Sequence, residues 1–187
     1  MKQPANAGFA AADLLSQAEH GADSQAILVT TEEELALQVQ NELQQQLSNL
    51  SRKELATPSL SNSLIIITKN FAEAIELVNE YAPEHLIINC RFADVIAEKI
   101  VNAGSVFIGA YTPEAAGDYA SGTNHVLPTN GFAKAYSGLS IESFVKKISF
   151  QKISAEGLKI ISSTIITMAE AEGLDAHANA IKIRSNV

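Results

Sequence analysis

Two periodicities alternate along the first two thirds of this chain. The stretch 9–19, "FAAADLLSQAE", carries the spacing of a helix and is stopped by His20-Gly21. A short apolar run, 24–31, reads as a strand. Thr31, with Glu34 three residues on, has the pattern of a capping box opening a polar helix to about Leu50. Residues 51–63 read as a loop or broken helix. "LIIIT" (64–68), "LIIN" (86–89) and "SVFIG" (105–109) are apolar runs without polar alternation, the mark of strands covered on both faces. Helical patterns separate them: one runs through Glu80, and one spans 91–104. Together they predict an α/β fold, a partial doubly wound and mostly parallel sheet flanked by helices.

The periodicity fades after Gly109. Residues 110–140 form a stretch too long and too varied in composition for a simple connector, and stretches of that length in compact domains are usually functional. The stretch follows the carboxyl end of a strand, where open α/β sheets bind ligands. Beyond it come a short helix (141–147), a strand-like run (149–154) and helices at 155–172 and 175–183, a C-terminal helical tail. The expected division is therefore 1–140, half of a main α/β domain with the chemistry-bearing loops, and 141–187, the tail.

Composition narrows the function. With 21 acidic and 13 basic residues among 187, net charge is −8, which disfavours nucleic acid and anionic membranes as partners. No apolar run reaches the ~20 residues of a membrane span, and the N-terminus lacks a signal-peptide core. The single cysteine, Cys90, fits a reducing, cytoplasmic setting and reads as a buried inert thiol.

Candidate chemistry lies in "NEYAPEHLIINC" (79–90), where Glu84 and His85 stand side by side between a proline and a strand. Such a pair can divide acid and base roles, or be an exposed Glu beside a packed His. Gln17 and His20 share one side of the first helix, and Asp118 lies in "AAGDYASG". Imidazole, carboxylate and amide oxygen suit a zinc-type ion, although Gln17 and His20 would equally suit a helix terminus. No G-x-G-x-x-G, P-loop or G-x-S-x-G motif is present.

Read together, "DLLSQAEHGADSQAILVTT", "YAPEHLII", "NAGSVFIG" and "TPEAAGDYASGTNHVLPT" resemble the C-terminal portion of histidinol dehydrogenase over residues 8–184. The resemblance implies a cytoplasmic, zinc-containing, NAD-dependent homodimer. Such an enzyme oxidises L-histidinol through L-histidinaldehyde to L-histidine, the last steps of histidine biosynthesis. It also implies roles by position. Gln17, His20 and Asp118 match zinc ligands of the main domain, and His177 matches the ligand given by the partner's exchanged tail. Glu84 and His85 match the acid–base pair. His125 and Glu172 match substrate contacts, completing a substrate site with the ligands and the pair. Full-length members are more than twice as long, so the nucleotide-binding part is expected outside this chain. No cofactor-binding residue is then expected within it, and alone it is expected to be inactive. A non-catalytic, dimeric metal- or imidazole-binding module derived from that enzyme is the alternative.

Overall fold

The computed structural model describes residues 5–185. They form two compact units, divided between Phe144 and Val145.

The first unit opens with α1 (Ala7–Ala18), capped by Asn6, whose side-chain oxygen accepts from the Phe9 amide at 3.1 Å. Ala11, Leu15 and Ala18 lie along one face of α1 and are buried against α2 (Glu33–Ser48) and α3 (Lys53–Ser61). β1 (Ile27–Thr30) precedes α2, and β2 (Leu64–Ile67) follows α3. Then come α4 (Phe71–Tyr81), β3 (His85–Ile88), α5 (Ala93–Ala97), β4 (Ser105–Ile108) and α6 (Glu114–Tyr119).

The mixed α/β class with parallel strands is as expected, but the sheet is divided. β1 pairs with β2 in register from Ile27–Leu64 to Thr30–Ile67, and β3 pairs with β4 from His85–Ser105 to Ile88–Ile108, both parallel. The two ladders remain separate two-stranded sheets. Leu64 and Ile67 are each 52% exposed, so β2 is apolar in sequence yet open in structure. Cys90 is half-buried, rather than buried as expected.

Local departures from the sequence reading have identifiable causes. The Thr31–Glu34 capping box does not form: Glu32 is the N-cap and makes no side-chain cap, while the Thr30 hydroxyl accepts from the Glu32 amide at 3.1 Å. A side-chain cap of that kind instead opens α4, where Asn70 accepts from the Glu73 amide and Glu73 accepts from the Lys69 amide. Residues 53–61 are helical despite Pro58, and buried Ser59 anchors the segment by donating to the Ser24 carbonyl at 3.0 Å. α5 stops well short of 104 because Asn79 takes over the next backbone groups. Its Oδ1 accepts from Val101 at 2.9 Å and its Nδ2 donates to the Lys99 carbonyl at 3.0 Å.

In the second unit the strand-like run 149–154 is not a strand; it is extended, exposed chain, with Phe150 92% exposed. The short helix expected over 141–147, which straddles the division between the units, is a 3-10 turn at Ile141–Phe144. α7 (Ala155–Ala171) and α8 (Asp175–Ser185) pack as a helical hairpin. Ser154 caps α7, Gly173 turns the chain at φ 72°, and Lys182 pairs with Glu170 at 2.5 Å.

One helix residue sets a pH-dependent cost. Burial raises the Asp13 carboxyl on α1 from 3.8 to about 6. A carboxyl raised in the folded state favours folding at pH below its unfolded value and loses that advantage as pH rises through its folded value. Asp13→Asn is therefore expected to leave stability unchanged near pH 3 and to raise it above pH 6 by about 1 kcal/mol, once solvent screening of this half-exposed group is allowed for. Urea unfolding across that range measures it; an equal gain at low pH would contradict this account.

Candidate active site

The turn from α4 into β3 places the central pair. α4 ends on Ala82 in the left-handed region (φ 53°), and Pro83 stiffens the next step. The Pro83 carbonyl accepts from Gly104 and the Glu84 carbonyl from Ser105, both at 2.9 Å, so the backbone of the pair is fixed against the start of β4. Glu84 and His85 therefore stand at the amino end of β3.

Three further segments reach this point. α1 delivers Gln17, whose Oε1 lies 3.3 Å from His85 Nδ1. Just past α1, His20 stands exposed. α6, inside the stretch read as irregular, returns over the sheet so that Gly117 packs on the Phe107 ring. A Cβ at Gly117 would stand 2.7 Å from that ring and 2.8 Å from Thr123 Oγ1. The His85 and Phe107 rings lie 6.1 Å apart, which ties α6, β4 and β3 together. The expectation of a site at the carboxyl strand ends thus needs correction. The loop leaves the carboxyl end of β4, but α6 carries its residues back toward the amino end of β3.

α6 also supplies a residue that sequence reasoning missed. Glu114 is 2% exposed, and its carboxylate forms a cluster with His20 and Asp118 whose ligating atoms all lie within 4.8 Å of one another. Ser16 Oγ sits 3.5 Å from Glu114 Oε2. The only sequence signal for Glu114 was its place one helical turn before Asp118, in "TPEAAGDY".

Three buried polar atoms have no hydrogen-bond partner among the described residues: Gln17 Nε2, His85 Nε2 and Glu114 Oε1. Buried polar atoms are seldom left so, and these three belong to neighbouring side chains around one point. Burial pushes Glu114 up, the Asp118 carboxyl pushes it further, and His20 and the Gln17 amide pull it down. Two crowded carboxyls beside an imidazole form a donor set that a divalent, borderline-soft cation satisfies, so these residues fit zinc. Burial lowers His85, against the opposing pull of Glu84 and Asp118 and with a smaller push from His20. Its imidazole is thus held toward the neutral form, with Nε2 as the basic nitrogen when Nδ1 donates to Gln17.

The remaining sequence candidates are not members of the His20–Glu114–Asp118 cluster. His125 is exposed in the loop and is not a member of the close cluster. Glu172, the C-cap of α7, and His177 on α8 are exposed residues of the second unit.

Fold and cluster define an α/β protein with a cation-competent site beside a Glu–His pair. Residues 2–185 match the family model described as histidinol dehydrogenase. The chain is 58% identical over 182 residues to histidinol dehydrogenase of Bacteroides thetaiotaomicron, covering 97% of this chain and 42% of that protein. It is 53% identical to that of Colwellia psychrerythraea, covering 96% of this chain and again 42% of the relative. The crystal structure of histidinol dehydrogenase from Elizabethkingia anophelis superposes with a TM-score of 0.92 at 50% identity, over 98% of this chain and 42% of that one. This chain belongs to the histidinol dehydrogenase family, and it spans about the C-terminal 42% of the length of these relatives. Among the described residues, no helix is long and apolar enough to cross a membrane.

Proposed function

We propose that this chain provides the metal- and substrate-binding part of an enzyme that oxidises L-histidinol to L-histidine with NAD, in the cytoplasm. The observation that carries the reading is His85: a half-buried imidazole kept toward neutrality, held by Gln17 and flanked by Glu84, beside the His20–Glu114–Asp118 cluster. Zinc, held by Gln17, His20, Asp118 and His177, would act as a Lewis acid and anchor the substrate's nitrogen and oxygen donors. NAD would supply the hydride acceptor, from a binding part outside this chain. His85 takes the hydroxyl proton on Nε2 as the alcohol carbon gives up its hydride. Glu84 then takes a proton from water as that water adds to the aldehyde carbon, and the adduct gives up the second hydride while its remaining hydroxyl proton leaves to solvent, yielding the carboxylate. His125 and Glu172 contact the substrate in this reading.

The test pairs this chain with the remainder of the Elizabethkingia anophelis relative, expressed as a second polypeptide, and follows NADH formation with zinc and histidinol. The chain alone is expected to give background. The pair is expected to turn over, and Glu84→Gln with His85→Asn is expected to return it to background. Metal binding without turnover in the pair would favour a non-catalytic binding module.

His177 sits in the second unit, and in this reading it completes the metal site of a partner copy by tail exchange. Mixing a His177→Ala chain with a His20→Ala chain is expected to restore zinc sites that neither forms alone. Equilibrium dialysis reads this, and zinc bound by a His177→Ala homodimer as tightly as by the unaltered chain would exclude it.

A further inference from the structure

One aromatic ring adjoins both the cation-competent cluster and the proton-transfer pair. Residues two apart on a strand point to the same face, and the β3–β4 register sets His85 opposite Ser105 and Ile87 opposite Phe107. His85 and Phe107 therefore project from one face of the ladder, with ring centroids 6.1 Å apart. Phe107 is 4% exposed, so its ring has little room to turn aside. The same ring meets α6 at Gly117, where a Cβ would stand 2.7 Å from Cε1 and 3.0 Å from Cζ. That Cβ would also lie 2.8 Å from Thr123 Oγ1, but Thr123 is exposed and its hydroxyl can rotate. Phe107 is the fixed obstacle. α6 depends on such contacts for its position. It has six residues and no side-chain N-cap, and its C-terminal end closes on itself through the Ala120 and Ser121 amides on the Ala116 carbonyl. A helix that short is not stable alone, so what it rests on decides where it sits. Glu114 and Asp118 flank Gly117 in this helix, and their carboxylates meet His20 within 4.8 Å.

We propose that Phe107 and Gly117 form a spacer that sets how far α6 stands from the sheet, and so how Glu114 and Asp118 reach His20 relative to His85. Both are positioning residues, since neither carries a ligand or a proton-transfer group. Gly117 does not have a positive φ, and glycine inside a helix weakens it, so the position calls for the missing side chain and not for a backbone angle. Carbon atoms in ordinary contact stand ~3.5–4.0 Å apart, so a methyl at Gly117 forces the helix or the ring to yield by about 1 Å. Metal–ligand distances tolerate only about 0.2 Å. If the helix yields, both carboxylates leave His20 together. If the ring yields, it presses on His85. Either movement changes the separation between the cluster and the imidazole. Shortening the ring has the opposite effect and leaves α6 without its rest.

The test compares four chains: the unaltered chain, Gly117→Ala, Phe107→Leu, and the two substitutions together. In the metal-free chains, the His20 imidazole resonances and the Glu114 and Asp118 carboxyl resonances are followed by NMR. They are expected to move in both single variants and to return toward their unaltered positions in the pair, where the alanine methyl occupies space that the shorter leucine releases. Zinc affinity, referred to the folded fraction measured by urea unfolding, is expected to fall about tenfold or more in each single variant. It is expected to recover by about threefold or more in the pair. The zinc titration rests on the metal site proposed above, whereas the metal-free resonances do not. If the unaltered chain takes no zinc, that site reading fails, and the resonances still decide the spacer. If Gly117→Ala does not fold, Phe107→Leu and the pair decide it. A folded Gly117→Ala chain with unmoved resonances overturns the proposal. So does a pair whose resonances lie no nearer those of the unaltered chain than Phe107→Leu alone.

Discussion

Replacing Glu114 by glutamine is expected to raise the stability of the metal-free chain while weakening its zinc affinity by about 10–100-fold. Both effects come from one placement. Glu114 is almost fully buried, has an oxygen without a partner, and faces the Asp118 carboxyl within a cluster only 4.8 Å across. Without a cation, a buried carboxylate beside another is unfavourable twice over, through desolvation and through like charge. A neutral amide of the same shape removes both costs. With a cation present the signs reverse, because each carboxylate contributes attraction that the amide cannot match. Calorimetric unfolding with and without zinc, together with a zinc titration, separates the two effects. His20→Ala serves as a control expected to lose binding more severely. A glutamine variant that binds zinc as tightly as the unaltered chain would show that Glu114 belongs to the core and not to the site.

Much of the fold was legible because apolar runs and helical spacing act over a few residues. β1 to β4 fall where those runs lie, since short runs rich in Ile, Leu and Val favour extended chain even where, as in β2, much of their surface stays exposed. Legibility failed where tertiary contacts decide. Asn79 ends α5 from another helix, and Ser59 holds a proline-containing segment helical through Ser24, neither of which local spacing encodes. The strand-like run at 149–154 shows the reverse failure: β propensity without a partner strand leaves extended chain. The division of the sheet was hidden for a related reason, because a strand's apolar pattern records that it is covered, not by which neighbour. At the site, Gln17, His20, His85 and Asp118 were named from residue chemistry and the family resemblance. The structure brings them to one locality. Glu114 escaped notice because a glutamate at the start of a helix is ordinarily a solvated first-turn residue. Only the return of α6 over Phe107 buries it.

Gly104→Val is expected to disable the site and to cost about 1–3 kcal/mol of stability, the range for overpacking a fitted interior. A Cβ at Gly104 would stand 2.5 Å from the Glu84 carbonyl oxygen and 3.2 Å from Leu127 Cβ. The nearer obstacle is backbone and cannot rotate away. The same short stretch carries the bonds from Gly104 to Pro83 and from Ser105 to Glu84 that start the β3–β4 ladder. Relief therefore requires β4 to move off β3 at the point that positions Glu84 and His85. Gly109 is the informative comparison. It sits at φ 93°, and a Cβ there would meet nothing within 4 Å, so Gly109→Ala adds backbone strain without pushing on a neighbour. Both variants should unfold at lower denaturant than the unaltered chain. Only the Gly104 variant should alter the His85 imidazole resonances, because only there does the displacement reach the contact with Gln17. In the assembled enzyme, Gly104→Val should lose turnover beyond what its folded fraction explains, and Gly109→Ala should not. Unchanged His85 resonances in a folded Gly104→Val chain would mean that the close approach of β4 does not position the pair.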